Sequence, residues 1–588
     1  MAEMLSPGVY INEKDYSEYV AAASTCIIGM VGGARRGPVG VPTLLTTQAK
    51  AVEIFGKPIE GDYGMYSVLA ALTKASQVYY TRVVRGGVRA SAGVLGKHKV
   101  LYRTRDYGES FNGIVILQSV QTDNTFSVTL IDPENDKILE EFTGLTLSPI
   151  EDNYVEAIVN SASQYITASV QNSGSLKDEN FTLEGGCGSG TYAKAGNPAQ
   201  DKITFRSKYY DSDLNGCTVV ISAQDPYGFF DITVKDGDTL IESWSSLDLD
   251  PTSERYAETL VNSRSSRIVV SVNQDESMPF EEDIFSFYGG DDGVDGISAI
   301  DIIGEENNTG MMTFSNAETI DINVFAIPGW SDPNVIHAAL TMCEDRADCI
   351  YVADPPFGMS AQDIVEWTNG TGSYTHKGFD SSYGAIYWPW VRISDAYTKK
   401  DIWLPPSGYV IAQYAYNDEV GHPWNAPAGL DRGIMSKPIG LELNPTKGER
   451  DAVYGNRNIV NPIANFLSNG ITIWGQKTMQ RKPTALDRVN VRRLMNYLKK
   501  TIGISTRYFV FEQNIEATWE RWRTMVEPVL SNIKTLGGLY DYKVEVEPTA
   551  DDIENNRMPV SVSVKPTKTA EFIPLTFNIM PYSASFDE

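Results

Sequence analysis

The sequence predicts a multidomain protein of α/β and α+β class. It has a central βαβ-type mixed-sheet core, a C-terminal α+β domain, two tandem β-rich inserted domains and an extended strand arm at each terminus. Three observations carry that prediction. Apolar runs alternate as strand, helix and strand from Asp321 to Val391; a block recurs after about a hundred residues; and each end holds an isolated alternating run. The boundaries that follow are arms at 1–20 and 568–588, a core built from 21–96 with 291–455, inserted copies at 97–195 and 196–290, and a C-terminal domain at 456–567.

At the N-terminus, Pro7-Gly8-Val9-Tyr10-Ile11-Asn12 reads as a strand with no partner beside it in sequence. Ile573-Pro-Leu575-Thr-Phe577-Asn-Ile579 does the same near the C-terminus. Unpaired strands carry open backbone donors and acceptors that another chain can satisfy. Pro7, Gly8, Val9, Tyr10, Ile11, Ile573, Leu575, Phe577 and Ile579 are therefore candidate self-assembly arms.

The duplication runs from Asp-Tyr-Gly-Glu-Ser-Phe-Asn112-Gly113 to Tyr154-Val-Glu-Ala-Ile-Val-Asn160-Ser161, and again from Tyr-Tyr-Asp-Ser-Asp-Leu-Asn215-Gly216 to Tyr256-Ala-Glu-Thr-Leu-Val-Asn262-Ser263. Each copy closes on a further strand, Tyr165 to Val170 or Arg267 to Val272, so each is a β-rich unit with one helix. The Gly-rich stretch Gly185 to Pro198 between them lacks the Gly-Lys-Ser/Thr of a phosphate loop and reads as a linker. Gly289-Gly-Asp-Asp-Gly-Val-Asp-Gly296 lacks the bidentate glutamate of a calcium hand and reads as a turn.

In the core, Asp321 to Ile327 is a buried strand. Ser331-Asp332-Pro333 starts a helix with a capping side chain and a first-turn proline, and Ile336, Leu340, Cys343 and Ala347 continue at helical spacing. Strand Cys349 to Ala353, a short helix through Ile364 and Trp367, and strand Tyr383 to Val391 complete a parallel βαβ pattern. Ligands of such sheets sit beyond the carboxyl ends of strands, here Pro328-Gly329-Trp330 and Asp354-Pro355-Pro356. Neither loop is glycine-rich.

The last third holds two amphipathic helices. In the second, Ile515, Trp519, Trp522, Val526, Val529 and Ile533 recur behind an Asn514 cap, which makes the tryptophans core anchors. Around the first, residues Lys477 to Arg507 include nine bases and one acid, Asp487. On a helical wheel Leu486, Val491, Leu494, Met495, Leu498 and Ile502 share one half, and Arg488, Arg492 and Lys499 lie opposite, flanked by Arg493 and Lys500. One face docks and the basic face looks outward, either solvated or meeting an acidic partner. Strands Tyr542 to Val546 and Val560 to Val564 follow.

Bulk properties narrow the function. At 588 residues the chain can hold about three to five domains, and no run of eighteen apolar residues could span a bilayer, so no membrane insertion is expected. The start lacks a secretory pattern, and five cysteines (Cys26, Cys187, Cys217, Cys343, Cys349) without a CxxC pair suit free thiols in a reducing cytoplasm. The four histidines (His98, His337, His376, His422) are scattered. A net charge of −27 opposes direct nucleic-acid binding. With no nucleophile elbow, Walker signature or metal-ligand cluster, no catalytic, cofactor-binding or metal residues are expected, and no cofactor.

Several motifs occur in one order: Ser-Pro-Gly-Val-Tyr-Ile-Asn-Glu, Gly32-Gly-Ala-Arg-Arg-Gly37-Pro38, Phe55-Gly56, Tyr79-Tyr-Thr-Arg82, Trp388-Pro389-Trp390, Leu404-Pro405-Pro406-Ser407-Gly408-Tyr409, Trp424-Asn-Ala-Pro427, Asn469-Gly470 with Trp474-Gly475, and the segment Arg488 to Phe511. Together they resemble the contractile tail sheath proteins of myophages and related contractile injection machines. The resemblance implies an assembly core with variable domains inserted outward, and a structural subunit that stacks with itself, expected in six-fold rings, around a tail tube. It implies partners at the baseplate and the tail terminator, assembly in the bacterial host cytoplasm, residence in the virion tail, and a contraction that drives the tube through the host envelope. In that setting the C-terminal domain faces the tube, and Arg488, Arg492 and Lys499 form a candidate tube-facing basic helix. A capsid or surface-layer subunit, or a nucleotide-dependent enzyme on the α/β core, are the alternatives.

Overall fold

The computed structural model of the chain describes residues 26–577 apart from 86–88, 93–99, 108–113, 122–124, 133–136, 150, 152, 164, 171–178, 183–193, 196–202, 210–211, 273–282, 287–291, 305–308 and 456. The centre is an eight-stranded sheet in the order Thr43–Leu45, Gln77–Arg82, Ile27–Gly32, Val324–Ala326, Ile350–Ala353, Gly384–Trp388, Val460–Phe466, Gly470–Ile473. From Gln77–Arg82 to Val460–Phe466 every neighbouring pair is parallel; the two outermost strands run antiparallel.

Both faces of this sheet are covered. Ile28, Met30, Val324, Ala326, Ile350 and Val352 point into one core layer; their neighbours Ile27, Val31, Phe325, Tyr351 and Ala353 point into the other. The period-2 alternation of strand side chains thus feeds two cores, which is why these strands read as continuous apolar runs. The helix Pro333–Arg346 packs on one side, capped by Asp332, whose side chain accepts from the Asn334 N–H, with Pro333 in the first turn. On the other side lies Ser407–Val420, where a Cβ on Gly408 would stand 2.7 Å from the Cα of Ser67, so only glycine permits this close packing against the helix Gly64–Ala71.

The insertions leave and re-enter this core at one place. Ile28 pairs with Val324, from beyond both insertions, while the Arg85 N–H donates to Gly293 O at 2.8 Å and buried Arg82 reaches Gly37 O and Asp292 O. Each inserted copy has a four-stranded and a three-stranded sheet around its own core, with one helix, Val155–Ala162 or Ala257–Arg264. The repeat extends to individual bonds. Asn160 both donates to and accepts from the backbone of Ala168, Asn262 does so with Val270, and Ser163 and Ser265 donate to Glu140 and Glu242. Of the Gly185 to Pro198 stretch only Lys194–Ala195 is described, a short strand on Ile203–Ser207. Of the Gly289 to Gly296 stretch residues 292–296 are described, and there Asp292 accepts from Ser212 Oγ at 2.8 Å and so braces the second copy to the core.

Two expectations need correction. A domain boundary at 456 would split the main sheet, because Val460–Phe466 pairs with Gly384–Trp388 and with Gly470–Ile473; the C-terminal domain begins beyond these strands. Asn514 does not cap the second helix: Glu516–Thr535 starts at Ile515, and Asn514 instead accepts from Trp519 Nε1 at 2.7 Å. Trp522, Val526, Leu530 and Ile533 of that helix form the C-terminal core with Leu494, Leu498 and Leu539.

Candidate assembly site

The C-terminal domain ends in a two-stranded antiparallel sheet, Leu539–Val546 with Val560–Pro566, seated on the Glu516–Thr535 helix. Among the described residues neither outer edge has a third strand. After Pro566 the chain crosses the body as a tethered segment. Thr567 Oγ1 donates to Gly537 O at 2.8 Å, and Thr569 Oγ1 accepts from Gln476 Nε2 at 2.6 Å.

Among the described residues Glu571 is the last tether. Its carboxylate accepts from Arg488 Nε and Nη2, from Tyr454 OH at 3.1 Å and from Gln476 Nε2 at 3.1 Å. On either side of it the surface is hollow. One groove of about 720 Å³ is lined by Tyr454, Trp474, Gly475, Phe572 and Ile573; another of about 510 Å³ runs along Pro483, Asp487 and Arg488. Beyond Glu571, among the described residues, Phe572, Ile573, Leu575 and Phe577 are exposed and lie outside any strand. Pro7, Gly8, Val9, Tyr10, Ile11 and Ile579 lie outside the described residues.

The basic helix, Val489–Thr506, departs from its expected orientation. Its apolar face docks on the C-terminal core, and most of its basic face docks as well, on the α/β core. Arg492 is 4% exposed, donates to Ser382 Oγ and places its guanidinium 4.0 Å from the centre of the Tyr383 ring. Arg493 meets Asp418 of Ser407–Val420 at 2.5 Å, with both side chains buried. Lys500 bonds Asp321 and, at 3.1 Å, Ile322 O. Asn490 and Asn496 donate to Trp424 O and Cys349 O. Arg488, just before the helix, is half-buried on Glu571. Of the proposed tube-facing trio only Lys499 keeps an exposed side chain, and its Nζ donates to Tyr383 OH at 2.7 Å. An outward basic face is therefore corrected to a fastener: the wheel separates apolar from charged residues, and both halves face protein.

The carboxyl ends of the parallel strands are plugged by the chain itself. Asp354 accepts from the Gly329 N–H at 3.0 Å and from Ser407 N and Oγ at 2.9 and 2.6 Å, while the Tyr63 ring lies against Gly329, where a Cβ would stand 2.3 Å away. Burial pushes Asp354 up to about 6, partly opposed by those bonds, and does the same to Asp62, which accepts from Gly33 and Gly64 N–H. These carboxylates hold loops together. Among the described residues no group of three or more His, Cys, Asp and Glu side chains is placed to hold a metal, and no helix is long and apolar enough to cross a membrane.

The body is thus a multidomain α/β fold with an open C-terminal sheet and a tethered segment that is exposed from Phe572 to Phe577. Parts of the chain are similar to known proteins. Residues 481–580 match the phage tail sheath C-terminal domain. The chain is 32% identical over 260 residues to the tail sheath protein of Vibrio phage KVP40, covering 41% of this chain and 38% of that protein. It is 29% identical over 294 residues to that of Enterobacteria phage T4, covering 47% and 44%. The chain thus matches less than half the length of either relative. The crystal structure of a sheath tail protein from Desulfitobacterium hafniense shares the fold, with a TM-score of 0.51 at 10% identity, over 95% of this chain and all of that one. Over these segments the chain is similar to tail sheath proteins of bacteriophages.

Proposed function

We propose that this chain is the subunit of a contractile tail sheath, assembled in the host cytoplasm as stacked rings around a tail tube and attached to baseplate and terminator proteins. The observation that carries this reading is the C-terminal domain. It matches the sheath family, and it pairs an open two-stranded sheet with an exposed apolar arm on one subunit. Backbone pairing between one subunit's arm and the next subunit's sheet edge gives a strong link on a flexible lead. The body is the rigid part: the Val489–Thr506 helix bolts the C-terminal domain to the core through Arg492, Arg493 and Lys500. Contraction then proceeds by rotation of intact bodies about their arms, and the difference in packing between two arrangements drives the tube through the envelope. Contact with the tube involves Lys499 and surfaces other than Arg492.

Negative-stain electron microscopy of concentrated protein tests this. Hollow tubes of fixed width are expected from the full chain, and short oligomers from a chain ending at Glu571. Flat lattices or closed shells from the full chain oppose a sheath, and unaltered tubes from the shortened chain oppose arm exchange.

A further inference from the structure

Cys343 and Cys349 lie with their sulfurs 3.4 Å apart, and neither has any exposed surface. Cys343 is in the last turn of Pro333–Arg346, and Cys349 immediately precedes the sheet strand Ile350–Ala353. The chain between them is pinned. Arg346 donates through Nε and Nη2 to Asp348 at 2.9 Å each, through Nη1 to Phe314 O and through Nη2 to Ile320 O. Ala347 adopts a left-handed conformation, φ 58°, and its N–H closes the helix on Cys343 O. The Cys349 carbonyl is held in turn by Asn496 Nδ2 at 3.0 Å. Two thiols are thus held in contact by bonds that do not involve sulfur.

We propose that Cys343 and Cys349 are a latent disulfide, reduced when the chain folds and joined when the protein meets a peroxide, the oxidant of the step. One sulfur attacks a peroxide oxygen, the O–O bond breaks, and sulfenic acid and water result. The second sulfur then attacks the sulfenic sulfur, the S–O bond breaks, and the oxygen leaves as a second water with the remaining thiol proton. Two thiols and one peroxide give one disulfide and two waters, the peroxide accepting both electrons. The sulfurs need to approach by only roughly 1.4 Å to reach bonding distance, and the pinned loop keeps its path. Burial raises the Cys343 thiol well above its ordinary range, so thiolate is scarce and oxidation is slow, which keeps the pair reduced during folding. The bond would staple a helix to a central strand of the main sheet, independently of whether the chain forms a sheath.

The test is peptide mapping of the full-length protein after hydrogen peroxide, alkylation under denaturing conditions, and digestion with trypsin and chymotrypsin. Trypsin cuts after Arg346, between the two cysteines, so their peptides stay joined only through sulfur. A Cys343–Cys349 linked pair that reduction separates is expected in wild type, with a thermal midpoint raised by a few degrees, and no such rise in Cys343→Ala. Full alkylation of both cysteines after peroxide, or their conversion to sulfinic acid, would overturn the proposal; because this readout uses wild type, it stands even if the variant folds poorly.

Discussion

Arg488 grips Glu571 through two parallel bonds, Nε to Oε1 at 2.7 Å and Nη2 to Oε2 at 3.0 Å, joining residues 83 positions apart. Paired bonds of this kind fix direction as well as distance. They set the point at which the C-terminal arm leaves the body, since everything from Phe572 to Phe577 is exposed. Glu571→Ala should loosen that root while leaving the domain cores intact. Tryptic cleavage at Lys568 should quicken roughly tenfold, a change of about 1.4 kcal/mol, with the thermal midpoint nearly unmoved. An unchanged cleavage rate would show that Thr567 and Thr569 hold the root without the glutamate.

Arg493 and Asp418 form a different kind of pair, with side chains 4% and 2% exposed. Removing one partner from a buried ion pair strands the other charge, at a cost of about 3–5 kcal/mol, whereas replacing both with apolar groups is far milder. Arg493→Met should therefore lower stability in urea unfolding by that amount, and Arg493→Met with Asp418→Leu should recover most of it. Equal losses in the single and double variants would mean that Arg493 acts through packing on Tyr414, 4.9 Å from its guanidinium, and not through charge.

Arg492→Glu separates a fastener from a surface contact. On an outward face, charge reversal would leave the isolated subunit folded and affect only its partners. Here it would press a carboxylate against the Tyr383 ring and toward Glu344, which also faces Arg492. The isolated subunit should lose several degrees of thermal stability before any assembly is attempted. Lys499→Glu, on an exposed side chain, should cost little. A stable Arg492→Glu subunit would restore the outward reading.

These three sites mark how far the sequence can be read. Local signals act within a few residues: at the Asp332-Pro333 start and the apolar spacing from Ile336 the structure places a helix, which stops at Arg346 and leaves Ala347 as its left-handed cap, and at Asn160 and Asn262 it places matching bonds to the backbone. Sheet membership at 460–473 was harder, because parallel pairing with Gly384–Trp388 joins segments more than seventy residues apart, leaving no local periodicity to mark it. The basic helix misled for a similar reason. A wheel shows which residues are alike, and the acids that bury Arg493 and Arg488 come from Asp418 and Glu571, at separations of 75 and 83 residues. A base-rich helix in a chain of net charge −27 is a hint of internal pairing that composition alone could have raised.

Asp354 makes a prediction in pH. Its carboxyl is pushed from 3.8 up to about 6 by burial, the bonds from Ser407 and Gly329 opposing only part of that rise. The folded state therefore holds this proton more tightly than the unfolded chain. Its stabilising contribution is complete below about pH 4 and is lost as pH rises through about 6, so ionised Asp354 costs the fold on the order of 2–3 kcal/mol at pH 7. Burial raises Asp62 in the same direction, so the pH dependence of the whole chain is a sum and the signal of Asp354 lies in a difference. Asp354→Asn keeps the shape and cannot ionise. Relative to wild type it should look worst at pH 4.5, where the native acid is neutral, and gain about 1–2 kcal/mol by pH 7. Urea unfolding at several pH values measures this, and a gap between the two proteins that stays constant from pH 4.5 to 7 would show that Asp354 does not titrate in that window.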